Sequence, residues 1–457
     1  MRSRMRKMPL LSAVLLAISG GSAIVAGAMW LLGYAIHTSS KPADPIDITK
    51  LSLTIAGSVG AVVALVIAYR RQRDTEQGRF IERFGAAAAQ LGANQASVRI
   101  AGVYAMAVLA DETAGSQRQQ CIDVLCGYLR LPYDPQRAAN HQTKRIRKAK
   151  EPSSDNDTDV EDHFEYLQND KEVRQTILRV IADRVRNGAH ISWSDNTFDF
   201  RAAQLEDVEF RQANFVGDIL FHGAIFTGNT SFDGATFSRN TEFSGASFLG
   251  DVMFDDTTFC GEALFYEATF ASHITFSDAS FADYTMFADL TLPGLAMFSG
   301  TRFAGDIVFS GTIFAKHAAF DGALFEGHAD FGDTRFANYA VFRDTTFAGD
   351  ATFHCASFSG SVSFKGTTFS AGANFDNTSF SGEAIFTNAS WSEESSFIGA
   401  RFGSDAVTFD TPKRWDSAPT FDWDVDISLK PMNVKPESWP PAPASGETAP
   451  ALSSESV

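Results

Sequence analysis

Asp155, Asp157 and Asp159 stand at alternate positions, the spacing with which a calcium-binding loop opens. Such a loop also needs Gly at its sixth place and a bidentate Glu at its twelfth. Val160 and Tyr166 hold those places, so the triplet carries no metal chemistry. The four cysteines, Cys121, Cys126, Cys260 and Cys355, are too few for a disulfide framework. Cys121 and Cys126 lie five apart in a helical pattern and do not share a face, so they read as small packing thiols. His222, His273, His317, His328 and His354 are scattered, with no carboxylate or cysteine at a fixed offset, and read as surface residues. There is no Walker A loop, no HExxH, no CxxC and no nucleophile–base set. The sequence therefore predicts no catalytic residue, no cofactor and no metal.

The elements around these residues follow from patterning. Arg2, Arg4, Arg6 and Lys7 precede an apolar run, and a second run, Leu51 to Tyr69, stops at Arg70, Arg71 and Arg73. Both are long enough to cross a bilayer core, and the basic flanks place both termini in the cytoplasm. The expectation is a multi-pass cell-membrane protein with a cytoplasmic repeat domain; a cleaved signal peptide is the competing reading of the first run. From Glu76 to Leu131 the apolar spacing is helical. Val98, Ile100, Ala101, Tyr104, Ala105, Val108 and Leu109 form the expected stripe of one helix. Ile177, Leu178, Val180, Ile181 and Val185 suit a helix that plugs the end of a stack, keeping it from recruiting another chain.

Beyond that helix, phenylalanine returns in alternating steps of five and six: Phe210, Phe215, Phe221, Phe226, Phe232, Phe237 and on to Phe402. Phe320, Phe325, Phe331 and Phe336 continue the ladder, and only Leu292 and Trp391 interrupt it. The two steps make an eleven-residue unit, F-x-x-A-x-F-x-G-x-x-x. A right-handed coiled coil also has an eleven-residue period. Here the filling is Gly, Ser, Thr and Asp, all poor helix formers. In a strand, residues two apart share a face, so Ala213 and Phe215 point the same way. The ladder is then a core, and its residues are structural. Gly217, Gly228, Gly250, Gly261, Gly305 and Gly327, two places after the second Phe, read as left-handed corners.

Stretches such as FHGAIFTGNTSFDGATF and FDGALFEGHADFGDTRF resemble the pentapeptide-repeat proteins, in which a small residue stands two before a central Leu or Phe. The resemblance implies an all-β, right-handed quadrilateral β-helix, here with an extra residue at alternate corners and about 22 residues per coil. The eighteen units give about nine coils, a rod about 40 Å long at the usual strand spacing. The N-terminal part, with QRQQCIDVLCGYLRLPY, is similar to membrane-anchored bacterial members.

The expected organisation is a basic N-terminus (1–8), a first transmembrane helix (9–36), an external loop (37–50), a second transmembrane helix (51–69), a helical region (70–135), a charged linker (136–170), a capping helix (171–192), the β-helix (193–410) and a Pro/Ser-rich tail (411–457). The net charge of the chain is −17. Between residues 200 and 402, 25 Asp plus Glu face 9 Lys plus Arg, a net of −16. Such a surface disfavours nucleic acid as a direct partner. The leading expectation is a membrane-tethered, non-enzymatic scaffold that holds an unknown protein partner on a rigid acidic rod. The alternative is a DNA-mimic inhibitor of a topoisomerase or another nucleic-acid-binding protein, as the family resemblance allows.

Overall fold

The computed structural model describes residues 45–135, 144–150, 159–165, 169–415 and 417–443, with residues 26, 27, 30 and 34. The chain falls into two compact units, Met1–Gly85 and Ala86–Val457. Among the described residues the helices before the repeats include α1 (Pro45–Leu91), α2 (Ala96–Glu112), α3 (Ser116–Leu129) and α4 (Asp170–Val185). Between α3 and α4, strands β1 (Lys144–Lys150) and β2 (Asp159–Glu165) pair antiparallel, inside the stretch predicted as a linker. Their register sets Lys150 across from Asp159, Lys148 from Glu161 and Arg147 from Asp162. Opposite charges at facing positions favour that pairing. Asp155 and Asp157 lie outside the described residues.

The two predicted transmembrane helices are not upheld: among the described residues no helix is long and apolar enough to cross a membrane. The first segment, 9–36, lies almost wholly outside the described residues. The second, 51–69, lies within α1. Arg70 and Arg71 continue the same helix. The multi-pass membrane location, and the cytoplasmic side assigned to the repeats through it, fall with these helices.

From Phe198 to Trp415 the chain winds into a β-solenoid of two-residue strands, apart from the longer Gln204–Glu209 and Ile225–Ser231. One coil shows the plan. Ala318–Ala319 lies on the first face, Leu324–Phe325 on the second, Ala329–Asp330 on the third and Arg335–Phe336 on the fourth. Each strand pairs in parallel with the strand 22 residues on: Ala319 with Val341, Phe325 with Phe347, Asp330 with Thr352, Phe336 with Phe358. The second and third faces are ten-stranded sheets. That is one strand more on each than the ladder predicts: Phe198–Asp199 begins the third face, with Phe198 edge-on to Phe215 and Phe200 stacked on Phe221, and Arg414–Trp415 ends the second. Their spacing is irregular, which hides them from a strict five–six count.

The interior is four columns of rings. Phe320 stacks on Phe298 at 5.0 Å and 3°, and on Phe342 at 4.8 Å and 2°. Across the narrow lumen it meets Phe309 and Phe331 edge-on, at 80° and 90°. Offset stacks and T-shaped contacts are the two arrangements the ring quadrupole favours. Phe210, Phe215, Phe221, Phe226, Phe232, Phe237, Phe320, Phe325, Phe331 and Phe336 are all buried here, at 0 or 1 % exposure. Each face also buries a small or β-branched residue two before its Phe. On the faces before the first Phe these are Val252, Ala263, Ile274, Ala296, Ile307 and their equivalents.

The corners differ from expectation. The left-handed residue sits two after the first Phe, as at Gly322 with φ 65°, Asp333 with φ 54° and Asp344 with φ 54°. It belongs to the tight turn of the five-residue step. Of the glycines two after the second Phe, Gly228 is left-handed as expected, with φ 74°, while Gly217, Gly250, Gly261, Gly305 and Gly327 serve close approach. A Cβ on Gly327 would lie 2.5 Å from the carbonyl carbon of Gly305 one coil below, and on Gly349 2.3 Å from the oxygen of Gly327. The extra residue of the six-residue step therefore lies in a corner pressed against its neighbour.

Candidate interaction surface

The side chains that project from this frame depend on how firmly the frame is held. Where Thr replaces Ala at the small interior place, its hydroxyl donates to the carbonyl of a ladder Phe in the coil below. Thr301 Oγ1 reaches Phe276 O at 2.7 Å, Thr345 reaches Phe320 O at 2.7 Å, and Thr378 reaches Phe353 O at 2.7 Å. These hydroxyls are buried and need a partner. Thr257, Thr312, Thr334 and Thr367 repeat the bond.

Many corner carboxylates are also committed. Asp306 Oδ1 accepts from the amide of His328 at 2.8 Å, Asp350 from Gly372 at 3.0 Å, Asp255 from Ser277 at 2.8 Å and Asp376 from Ile398 at 2.8 Å, each one coil on. Asp251 accepts from the Ser272 hydroxyl at 2.5 Å and from the His273 amide. That hydroxyl holds its carboxyl below the usual carboxylate range. These acids join coil to coil, a role the outward positions in the repeat did not suggest. His273 does the same work, its Nδ1 accepting from Leu295 N at 2.8 Å. His222, His273, His328 and His354 are exposed and His317 is half-buried.

The N-terminal end of the stack is covered by α4, with Val173, Ile177, Leu178, Val180, Ile181 and Val185 buried. The joint is polar at its centre. Arg174, 3 % exposed, donates through Nε to Asp170 Oδ2 at 3.0 Å and through Nη1 and Nη2 to Leu129 O at 2.8 Å and Leu131 O at 2.7 Å. Its guanidinium lies 4.2 Å over the Tyr133 ring, a cation–π contact. Tyr128 donates to Asp170 Oδ1 at 2.5 Å, and burial pushes that phenol's pKa up. A second clamp joins α2 to the start of the repeats. Asp111 accepts from Arg184 Nη2 at 2.7 Å and from Trp193 Nε1 at 2.9 Å. At the first coil, Arg201 hydrogen-bonded to Asp199 holds that carboxyl down at about 2, and Arg130 pairs with the same group. None of these residues stands out in the sequence, since the groups lie up to 82 residues apart. The pairs Asp170–Arg174 and Asp199–Arg201 are the local signals among them.

At the other end, residues of the segment assigned to the Pro/Ser-rich tail pack onto the stack. Val434–Lys435 adds a strand to Val407–Thr408. Trp439 meets Phe421 at 5.1 Å and Trp423 at 5.6 Å, both nearly edge-on. Both ends being covered, the free surfaces of the solenoid are its side faces. Burial pushes the Cys126 thiol up to about 12 and the Cys121 thiol up to about 11, so neither is a nucleophile at neutral pH. Among the described residues no group of His, Cys, Asp or Glu is placed to hold a metal ion.

No curated protein and no solved structure matches the chain. The family model described as pentapeptide repeats (9 copies) matches residues 221–269, 291–335, 309–354 and 364–411. Those segments of the chain are pentapeptide repeats, and they are wound into a β-solenoid.

Proposed function

We propose that this protein is a non-catalytic scaffold whose solenoid offers its flat side faces to a protein partner. One observation carries the reading: the inward positions are held to a ladder of Phe, broken at Leu292 and Trp391, with a buried small or aliphatic residue two before each ring, while the outward positions change from coil to coil. An invariant frame with a variable surface suits recognition by faces. The closed ends direct any partner to those faces, and the joints at Arg174 and Asp111 tie α2, α3 and α4 to the start of the rod.

The DNA-mimic reading rests on the net of −16 over residues 200–402. It is weakened by the corner carboxylates, which accept backbone hydrogen bonds where a mimic would array free charges. Photo-crosslinking in cells, with the crosslinker at Thr346 on the second face or Asp330 on the third, tests the scaffold. One recurrent protein adduct is expected from the full chain. If no position yields a specific adduct, the scaffold reading is wrong. Inhibition of gyrase supercoiling by the full chain at micromolar concentration would favour the mimic.

A further inference from the structure

The fourth face is interrupted once. Up to Thr269–Phe270 its strands pair coil on coil, and from Thr291–Leu292 they pair again as a separate six-stranded sheet. Between those two strands no pairing forms. The coil above is joined on this face by two bonds, Ile313 N to Leu290 O at 2.8 Å and Ala315 N to Leu292 O at 3.0 Å. At the break Pro293 has no N–H to give to Phe270 O. Among the described residues neither Thr291 N nor, at the corner before it, Glu267 N makes a backbone bond to the neighbouring coil. The corresponding corner bonds on either side are in place, Gly245 N to Tyr266 O and Asp278 N to Ser299 O, both at 2.9 Å. Three successive rungs are therefore missing along one seam.

The interior changes at the same place. Leu292 stands where the column has Phe, and Leu290 where every other unit from Ala213 to Ala400 has Ala or Thr. Both are buried, so the volume is refilled without a ring. Phe270 stacks on Phe248 beneath it at 5.0 Å, but the next ring of its column is Phe314, two coils on, which stacks on Phe336 at 4.9 Å. Phe270 is 6 % exposed, against 1 % for Phe248 and Phe314. The opposite wall is whole. On the second face Phe281 stacks on Phe259 at 4.7 Å and on Phe303 at 5.0 Å. Ser280 N and Ala282 N donate there to Thr257 O and Phe259 O, both at 2.8 Å.

We propose that the rod is two stiff segments that hinge at this seam, opening on the fourth face and pivoting on the second. The inference concerns the rod itself and goes beyond the scaffold reading. In a stack of repeats each coil is held only by its neighbours, so the interface with the fewest bonds separates first. Here that interface has lost its rungs and its ring stack on one side and kept both on the other. The corner beyond the seam limits the movement. His273 Nδ1 accepts from Leu295 N at 2.8 Å, and a Cβ on Gly294 would lie 2.4 Å from the carbonyl carbon of Ser272. A partner bound across both segments selects one angle between them.

The test places spin labels on the full chain after Cys260→Ser and Cys355→Asn remove its exposed thiols. Three cysteine pairs are compared, each four coils and about 19 Å apart along the axis. Ser247→Cys with Arg335→Cys spans the seam on the fourth face. Ile313→Cys with Arg401→Cys lies on the same face beyond it, and Thr236→Cys with Leu324→Cys spans the same coils on the second face. Pulsed electron resonance should give a seam distribution at least about twice as wide as either control, with the excess at longer distances. Hydrogen exchange in the wild-type chain gives a second reading. The amide of Phe265, bonded to Met286 O beside the seam, should exchange at least about tenfold faster than that of Phe309, bonded to Asp330 O in an unbroken coil. Leu290→Ala with Leu292→Phe and Pro293→Ser restores the repeat unit, and should narrow the seam distribution to that of the controls and slow Phe265 to the rate of Phe309. A seam pair as narrow as the controls overturns the proposal, as does equal exchange at the two phenylalanines. Equal broadening of the second-face pair removes the pivot, and broadening that persists in the restored chain separates the motion from these residues; either result overturns it. If circular dichroism shows the restored chain unfolded, the wild-type comparisons decide alone.

Discussion

Gly322 and Gly327 lie five residues apart in one coil, and alanine at the two positions should have very different costs. At Gly322 the backbone is left-handed, φ 65°, and a Cβ would meet nothing within 4 Å. Gly322→Ala therefore carries only the strain of an L-residue in that region, about 1–2 kcal/mol. Gly327 is not left-handed, but its Cβ would lie 2.5 Å from the carbonyl carbon and 2.6 Å from the oxygen of Gly305. Ordinary contact requires about 1 Å more, and both neighbours are backbone in a packed stack. Overpacking of this kind costs about 1–3 kcal/mol. Moving the coils apart also stretches the bonds beside the corner, Glu326 N to Phe303 O at 2.8 Å and Ile307 N to His328 O at 2.9 Å. Each lost bond adds about 1 kcal/mol, so Gly327→Ala should cost about 3–5 kcal/mol. Guanidinium unfolding of the full chain, followed by far-ultraviolet circular dichroism, measures both. If Gly327→Ala proves no costlier than Gly322→Ala, the close-approach account of these glycines is wrong.

Phe320→Ala should cost about 3–5 kcal/mol, read as a lower thermal midpoint; no shift would remove the ring columns as the source of stability. Thr345→Val keeps the shape and deletes the bond to Phe320 O, so a loss of about 1 kcal/mol is expected, and a gain would show the hydroxyl to be dispensable. Asp199, held at about 2 against an ordinary 3.8, contributes stability above its ordinary value and loses it as pH falls through about 2. Asp199→Asn should flatten the acid limb of the unfolding profile between those values, and an unchanged limb would show that the Arg201 and Arg130 contacts do not form in solution.

The solenoid was legible because its rule is local and repeated. Phe with a small residue two before it specifies one buried face, and eighteen copies in register leave no competing fold. The corners were harder to read, because glycine answers two physical demands, positive φ and close approach, and the letter is the same for both. The register resolves them, since Asp, Asn and Glu also occupy the left-handed place, at Asp278, Asn377 and Glu267. In α2 the buried residues include Val103, Met106, Leu109 and Ala110, while Tyr104 and Val108 are 48 and 46 % exposed. That helix is apolar on every side, so periodicity alone could not choose its face. The acidic places were legible as exposed but not as hydrogen-bonded, since their partners stand a full coil away.

The 22-residue register makes the rod a ruler with fixed graduations. Removing one whole coil shortens it by about 4.8 Å and returns every later residue to its own face. Removing a single eleven-residue unit would keep a Phe at every ladder position, because the two halves of a coil share one pattern. It would also turn everything beyond the cut by half a revolution. Arg343 and Lys365 would then project on the side opposite their present one, relative to the helices packed at the N-terminal end. Length and azimuth are thus separately adjustable in this chain, one by whole coils and the other by halves.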